Sequence, residues 1–280
     1  MYFNYKKILP DVYSITDIAG TNCFLILGKK KAALIDTGIG LGSLKSCVQE
    51  ITDLPLIVIG THGHLDHLGG AGEFDQVYLN PLDFTLACGI NARSRYDYAK
   101  ANYEIINPQK KWTFEMSDFQ RVKTSGYVPL NGREIFDLGG ITLRLLPMPG
   151  HTQGSETILL EEARTVIFGD ACNPGVFLFG DESSPVEVYM HTLETYKRDY
   201  ESLYDKVMLS HGGPFIDKSI LDVIIDICKE IIAGADEHIP DIIFGQKACS
   251  AKRIGAFGKR LDGKIGNILY NPDKIKVQIN

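Results

Sequence analysis

Long apolar runs are missing from this 280-residue sequence. Nothing approaches the roughly 18 residues a membrane span requires, and the opening stretch Met1-Tyr2-Phe3-Asn4-Tyr5-Lys6-Lys7 lacks the apolar segment of a secretory signal. No membrane association is expected, and the expected location is cytoplasmic. Cysteine occurs six times, at positions 23, 47, 88, 172, 228 and 249, without a Cys-x-x-Cys pair or a regular framework. That spacing argues for reduced thiols and against a disulfide scaffold. Cys172 reads as a small apolar filler. Positive charge is not in surplus either: the net charge is -6, and the triplet Lys29-Lys30-Lys31 behind Gly28 reads as a solvated hairpin tip. No nucleic-acid partner is expected. A Gly-x-Ser-x-Gly motif is absent, which removes that kind of serine nucleophile.

Histidine is scarce as well, with seven in the chain, yet three of them fall within the six residues His62-Gly63-His64-Leu65-Asp66-His67. Imidazole and carboxylate are the ligands that suit zinc and, more loosely, iron or manganese. The apolar run Leu56-Ile57-Val58-Ile59 before Gly60 is the pattern of a buried strand. A period of two beyond it places His62 and His64 on one side, and Asp66 and His67 open a new turn or helix, where they diverge toward a second metal. His151 and His211 each follow an apolar run and sit beside glycine, and Asp170 ends the run Thr165-Val166-Ile167-Phe168-Gly169. Functional residues of strand-based enzymes collect at such strand ends. Seven ligands exceed what one catalytic ion takes, so two divalent ions are expected, with Asp170 the natural bridge. His191 and His238 have no ligand pattern around them and read as surface or capping residues.

Strands are expected at residues 12–15, 23–27, 32–35, 56–59, 77–79, 141–146, 157–160, 165–168 and 207–209. Helices are expected at 41–51, 186–204 and 217–232. Two strand-rich halves of this kind fit an α/β sandwich of two sheets covered by helices, with the metals at one edge. At 280 residues and 44% hydrophobic, one elaborated domain spanning 1–280 is expected. Two segments stand outside that scaffold. Residues 81–128 mix polar and aromatic side chains, including Arg95, Tyr98, Tyr103, Trp112 and Phe114, over a length that suits a helical lid. Residues 214–280 form a C-terminal extension whose Gly- and Lys-rich stretch, 245–266, carries Lys247, Lys252, Arg253, Lys259 and Arg260, a set that reads first as a solvated surface and second as one closing over an anionic substrate.

From residues 12 to 215 the chain resembles the metallo-beta-lactamase fold superfamily. The resemblance rests on Leu34-Ile35-Asp36-Thr37-Gly38, the His-x-His-x-Asp-His run at 62–67, Gly150-His151-Thr152-x-Gly154-Ser155, Asp170 and His211. It implies a four-layer αββα sandwich in which His62, His64 and His151 hold one metal, Asp66, His67 and His211 the other, and Asp170 bridges them. It places Asp36 behind the ligands, steadying the histidine loop. The stretch Thr61 to Gly70 is similar to glyoxalase II, although Ala171-Cys172-Asn173-Pro174-Gly175 departs from that family's pattern.

The expected function is therefore that of a dinuclear metal-dependent hydrolase, with zinc the first choice of metal and iron or manganese the alternatives. A metal-bridging hydroxide would attack a small ester, thioester or lactone, and Asp66 or Asp170 would carry a proton to the leaving group. Antibiotic-hydrolysing members of the superfamily lack the bridging aspartate, which disfavours beta-lactams. A phosphodiesterase of the same fold is the second reading, and a mononuclear-iron dioxygenase acting on persulfides the third. The expected partner is a small-molecule substrate; oligomeric state is left open by the residues.

Overall fold

The segments 23–27 and 32–35 are apolar at every position, which suits strands covered on both faces. A computed structural model describes residues 2–255 and 259–277. Its first sheet runs in chain order through β1 (Phe3–Leu9), β2 (Val12–Asp17), β3 (Asn22–Leu27), β4 (Ala32–Ile35), β5 (Leu56–Ile59), β6 (Tyr78–Leu79) and β7 (Val128–Pro129). Strands β1 to β4 are antiparallel, whereas β4, β5, β6 and β7 run parallel. Crossovers between parallel strands need room for helices. Here they carry α1 (Leu44–Gln49), α2 (Leu65–Leu68), α3 (Phe84–Cys88) and α4 (Ala92–Ile106).

The second sheet comprises β8 (Ile135–Asp137), β9 (Thr142–Pro147), β10 (Glu156–Leu160), β11 (Thr165–Gly169), β13 (Lys206–Leu209) and β14 (Phe215–Ile216). Its order is β14-β13-β11-β10-β9-β8, with only β11 and β13 parallel. A third sheet, of four strands, joins β12 (Val176–Leu178) to β17 (Ile268–Tyr270), β16 (Gln246–Ser250) and β15 (Ile239–Ile243). Two further helices are α5 (Val186–Tyr200) and α6 (Ile220–Ala233).

Strand periodicity sorts the apolar residues into layers. Phe24, Ile26, Ala33, Ile35 and Ile59 of the first sheet meet Leu143, Leu145, Ile158, Leu160, Ile167 and Met208 of the second in one buried cluster. The alternate residues Cys23, Leu25, Ala32, Leu34 and Val58 face the other way, toward Leu44, Cys47 and Val48 of α1 and Leu68 of α2. On the far side, Leu159, Val166, Phe168, Val207 and Leu209 pack against Val186, Tyr189, Leu193 and Tyr196 of α5 and the apolar face of α6. The layers are thus α, β, β, α. Each fully buried aliphatic or phenyl side chain contributes about 1.5–3 kcal/mol over an exposed one.

Differences from the sequence expectation are local. The first helix starts at Leu44 because the Ser43 hydroxyl caps it, accepting from Ser46 N at 3.1 Å. The long helix yields at Tyr200 to a 3-10 turn over Glu201–Leu203, and the last helix begins at Ile220 and stops at Gly234, whose φ of 65° is left-handed. Strand β1 and the third sheet were not anticipated. The stretch read as a Gly- and Lys-rich tail contributes β16 instead, and its residues 256–258 lie outside the described ones.

Candidate metal centre

Two pairs of neighbouring parallel strands, β4 with β5 and β11 with β13, decide where the chemistry sits. Asp36 follows β4 directly and its N–H is held by the Ile59 carbonyl at the end of β5, from which the chain enters the histidine run. Asp170 follows β11 and His211 follows β13, so parallel pairing brings both to the same edge. His151 comes from the loop between β9 and β10. The N- and C-terminal halves are joined at this edge: Thr21 bridges His211, and the Asn22 amide donates to the Leu209 and Gly212 carbonyls. Two glycines after the histidine run allow close approach. A Cβ on Gly69 would lie 2.3 Å from the Ile39 carbonyl oxygen and one on Gly70 2.4 Å from that of Thr37.

Three groups of ligand atoms converge there, each with its members within 4.8 Å of one another: His62, His64 and His151; Asp66, His67 and His211; and His62, His67 and Asp170. In the first, His64 Nδ1 lies 3.0 Å from His62 Nε2 and 2.9 Å from His151 Nε2. In the second, His211 Nε2 lies 3.3 Å from Asp66 Oδ2 and 3.2 Å from Asp170 Oδ2, which is also 3.4 Å from His67 Nε2. All seven residues read from the sequence as ligands therefore meet at one place.

The outward ring nitrogens settle which nitrogens face inward. His67 Nδ1–H donates to Asp36 Oδ2 at 2.8 Å, His151 Nδ1–H to the Phe177 carbonyl at 2.8 Å, and His64 Nε2–H to Glu182 Oε1 at 3.1 Å. Because a carboxylate or carbonyl only accepts, those nitrogens carry the proton in a neutral ring, and the lone pairs point into the centre. His62 Nδ1–H donates to Thr61 Oγ1 at 3.0 Å, and that hydroxyl donates to Asp36. At the centre, His67 Nε2 and Asp170 Oδ1 are buried with no hydrogen-bond partner. Orphaned buried polar atoms are rare and costly. Inward lone pairs, unpartnered atoms and buried carboxylates together fit divalent cations.

Charge agrees. Burial pushes His62 well below the usual imidazole range and His151 down to about 4, with the neighbouring imidazoles adding to the effect, so both are neutral near pH 7. Burial opposes protonation of His67 and His211 as well. There, however, Asp66, Asp170 and Asp36 outweigh it at His67, and Asp170 and Asp66 raise His211 to about 10. Burial would raise Asp66 and Asp170, but the same histidines hold both below the ordinary carboxylate range. The cluster thus carries concentrated negative charge that protons balance in the metal-free chain.

A model of the metallo-beta-lactamase superfamily matches residues 17–82, the segment that holds Asp36 and the histidine run. The fold agrees with that match over a much longer stretch: a metallo-beta-lactamase from Pontibacter korlensis superposes with a TM-score of 0.56 at 18% identity, covering 80% of this chain and 97% of that one. Residues 17–82 thus match the metallo-beta-lactamase superfamily, and the chain has that superfamily's fold. Among relatives in this superfamily, the human acyl-coenzyme A thioesterase MBLAC2 is 26% identical over 208 residues, which is 69% of this chain and 74% of that protein. The hydroxyacylglutathione hydrolase GloC of Haemophilus influenzae is 28% identical over 158 residues, 55% of this chain and 68% of that protein.

Several supporting residues of this site were not read from the sequence. Asp83 is buried and accepts from Gly63 N at 2.8 Å, Thr152 Oγ1 at 2.6 Å and Gly154 N at 2.8 Å, tying the His62–His64 loop to the His151 loop. Asp17 accepts from Ala19 N, Thr21 N and Ile39 N and is raised by burial to about 6. Tyr98 of α4 donates to Asp66 Oδ2 at 2.8 Å. Glu182, drawn down to about 2 by its hydrogen bond to His64, sits in a polar loop that carried no signal. Asp83 stood just inside the supposed insertion; the turn chemistry of Asn80-Pro81 before it was the available clue.

Proposed function

We propose that this chain is a dinuclear metal-dependent hydrolase of thioesters, with small esters and lactones as chemically adjacent substrates. The observation that carries the reading is the pair of ligand groups, three histidines on one side and Asp66, His67 and His211 on the other, with Asp170 set against His67 and His211. Two relatives named as thioester hydrolases support the choice of thioester. When bound, divalent metals supply Lewis acidity, polarising a carbonyl and bringing the pKa of a bound water from above 15 to about 7.

The chain's own residues do the rest. Asp36, Thr61, the Phe177 carbonyl and Glu182 fix the imidazole tautomers, so no ring must reorient during turnover. Asp66 is anionic and oriented by the Tyr98 hydroxyl, which suits it to take a proton from the attacking water and pass it to the departing sulfur as the carbon–sulfur bond breaks. A thiolate, with an unperturbed pKa near about 8.5, needs that proton less than an alkoxide does. Among the described residues no Lys or Arg bonds to any of the seven clustered side chains, which sets this site apart from the cationic clamps of phosphoryl transfer.

The test is metal content per chain by plasma mass spectrometry on protein purified without chelator, paired with a thioester and phosphodiester hydrolysis screen. Two zinc ions per chain with thioester turnover is the expected result. One iron per chain, with oxygen uptake on a persulfide and no hydrolysis, overturns it. His62→Ala and Asp66→Ala are each expected to lower metal content and abolish turnover. His191→Ala, whose side chain is 68% exposed beside Glu194, changes neither.

A further inference from the structure

Strands β15 and β16 are joined by two residues only, Phe244 and Gly245, with φ of 50° and 79°. Left-handed conformation at both central positions is the primed hairpin turn, which Asn-Gly fills without strain. A bulky aromatic at the first position is an outlier. Phe244 is also 70% exposed, and the nearby Ile242 is 68% exposed. The tip therefore carries two local costs, backbone strain and apolar exposure, that neither the turn nor the core explains. The hairpin itself is seated firmly, with Ile243 packed on buried Phe179, Ala248 and Leu269.

The position of the ring gives the exposure a purpose. Its centroid lies 6.2 Å from that of Tyr98, whose hydroxyl donates to Asp66, and 6.4 Å from that of Phe179. Phe179 in turn lies 5.2 Å from Phe177, whose carbonyl accepts from His151. Four aromatic rings thus run from a ligand of one metal group to a ligand of the other, and Phe244 is the link between the two ends.

The charges of the extension are directed elsewhere. Lys247 pairs with Asp273, Lys252 with Glu230, Arg253 with Glu237 and Arg260 with Asp262. Four of the five basic residues that the sequence offered for a solvated surface or for closing over an anion are thus spent on local carboxylates.

We propose that Phe244 is a specificity-determining residue, the apolar roof of the metal centre, and that it selects substrates whose acyl group is a hydrocarbon chain. This rests on the hydrolase reading above. Methylenes laid against the rings leave water, an effect of roughly two- to fourfold per carbon. The test uses the full, metal-loaded chain with octanoate and acetate as calorimetric probes, alongside hydrolysis of octanoyl and acetyl thioesters. The parent chain is expected to bind octanoate at least tenfold more tightly than acetate. Phe244→Asn, which suits the turn, is expected to melt at the same temperature or higher while losing about tenfold of that preference; Phe244→Leu keeps most of it. An equal preference in parent and Phe244→Asn, or none in the parent, overturns the roof. If the probes behave as expected but no thioester is cleaved, the hydrolase reading falls and the roof stands. If thioesters are cleaved with a chain-length preference that Phe244→Asn leaves unaltered, the reverse holds.

Discussion

Asp36 shows how far one side chain can reach. From a left-handed backbone position, with φ of 64°, its two oxygens take Thr61 N, Thr61 Oγ1 and His67 Nδ1. Residues that orient ligands in this way typically affect metal affinity by about 10–100-fold. Asp36→Asn is expected to weaken binding by that factor, measured by competition with a chromogenic chelator, without unfolding the chain. From sequence alone Asp36 was barely distinguishable from a turn aspartate, whereas the histidine run was plain. The reason is physical: ligands crowded into six residues leave a pattern in one dimension. Asp83 leaves none, because its partners at Gly63, Thr152 and Gly154 come together only in the folded chain.

At the scale of elements, α4 is tied to the centre rather than lying loosely over it. Arg95 is fully buried, donating to the Gly69 carbonyl at 2.5 Å and the Gln120 carbonyl at 2.7 Å, with its guanidinium 5.5 Å from the Phe119 ring. Replacement by methionine fills much of the volume but leaves two carbonyls unpaired. Arg95→Met is expected to destabilise the chain by about 2–4 kcal/mol in urea denaturation. Strands buried on both faces, β3, β4, β10 and β11, were legible because each carries an apolar run, Cys23 to Leu27, Ala32 to Ile35, Ile158 to Leu160 and Val166 to Phe168. Strand β1 was not: its middle residues, including Lys6 and Lys7, are exposed on a sheet edge, and charge there guards against edge-to-edge pairing while hiding the strand signal. In the third sheet, Pro240, Asp241 and Lys247 obscured β15 and β16 in the same way.

For the whole molecule, the contact between the two sheets includes a carboxyl group far from comfortable. Glu156 of β10 is fully buried, accepts from Asn80 of the first half at 2.8 Å, and is pushed by burial from 4.5 to about 7. Between those two values the native chain holds the proton and the unfolded chain has lost it. Stability therefore falls as pH rises from about 4.5 through 7, by on the order of 3 kcal/mol. Glu156→Gln is expected to make the decline between pH 5 and pH 6.5 shallower in urea titrations. Slopes of the same sign remain from Asp17 and, above pH 6.5, from the raised His67 and His211.

The stitching of the two halves at His211 also sets a timetable. His62, His64, Asp66 and His67 leave the ribosome together, while roughly 140 residues separate His67 from His211. At roughly 5–20 residues per second, that is a delay of roughly 7–30 s. During it the nascent chain carries only part of the ligand set, His211 being absent from the group it forms with Asp66 and His67. The set of seven side chains is complete only when β13 docks beside β11, after about three quarters of the sequence has been made.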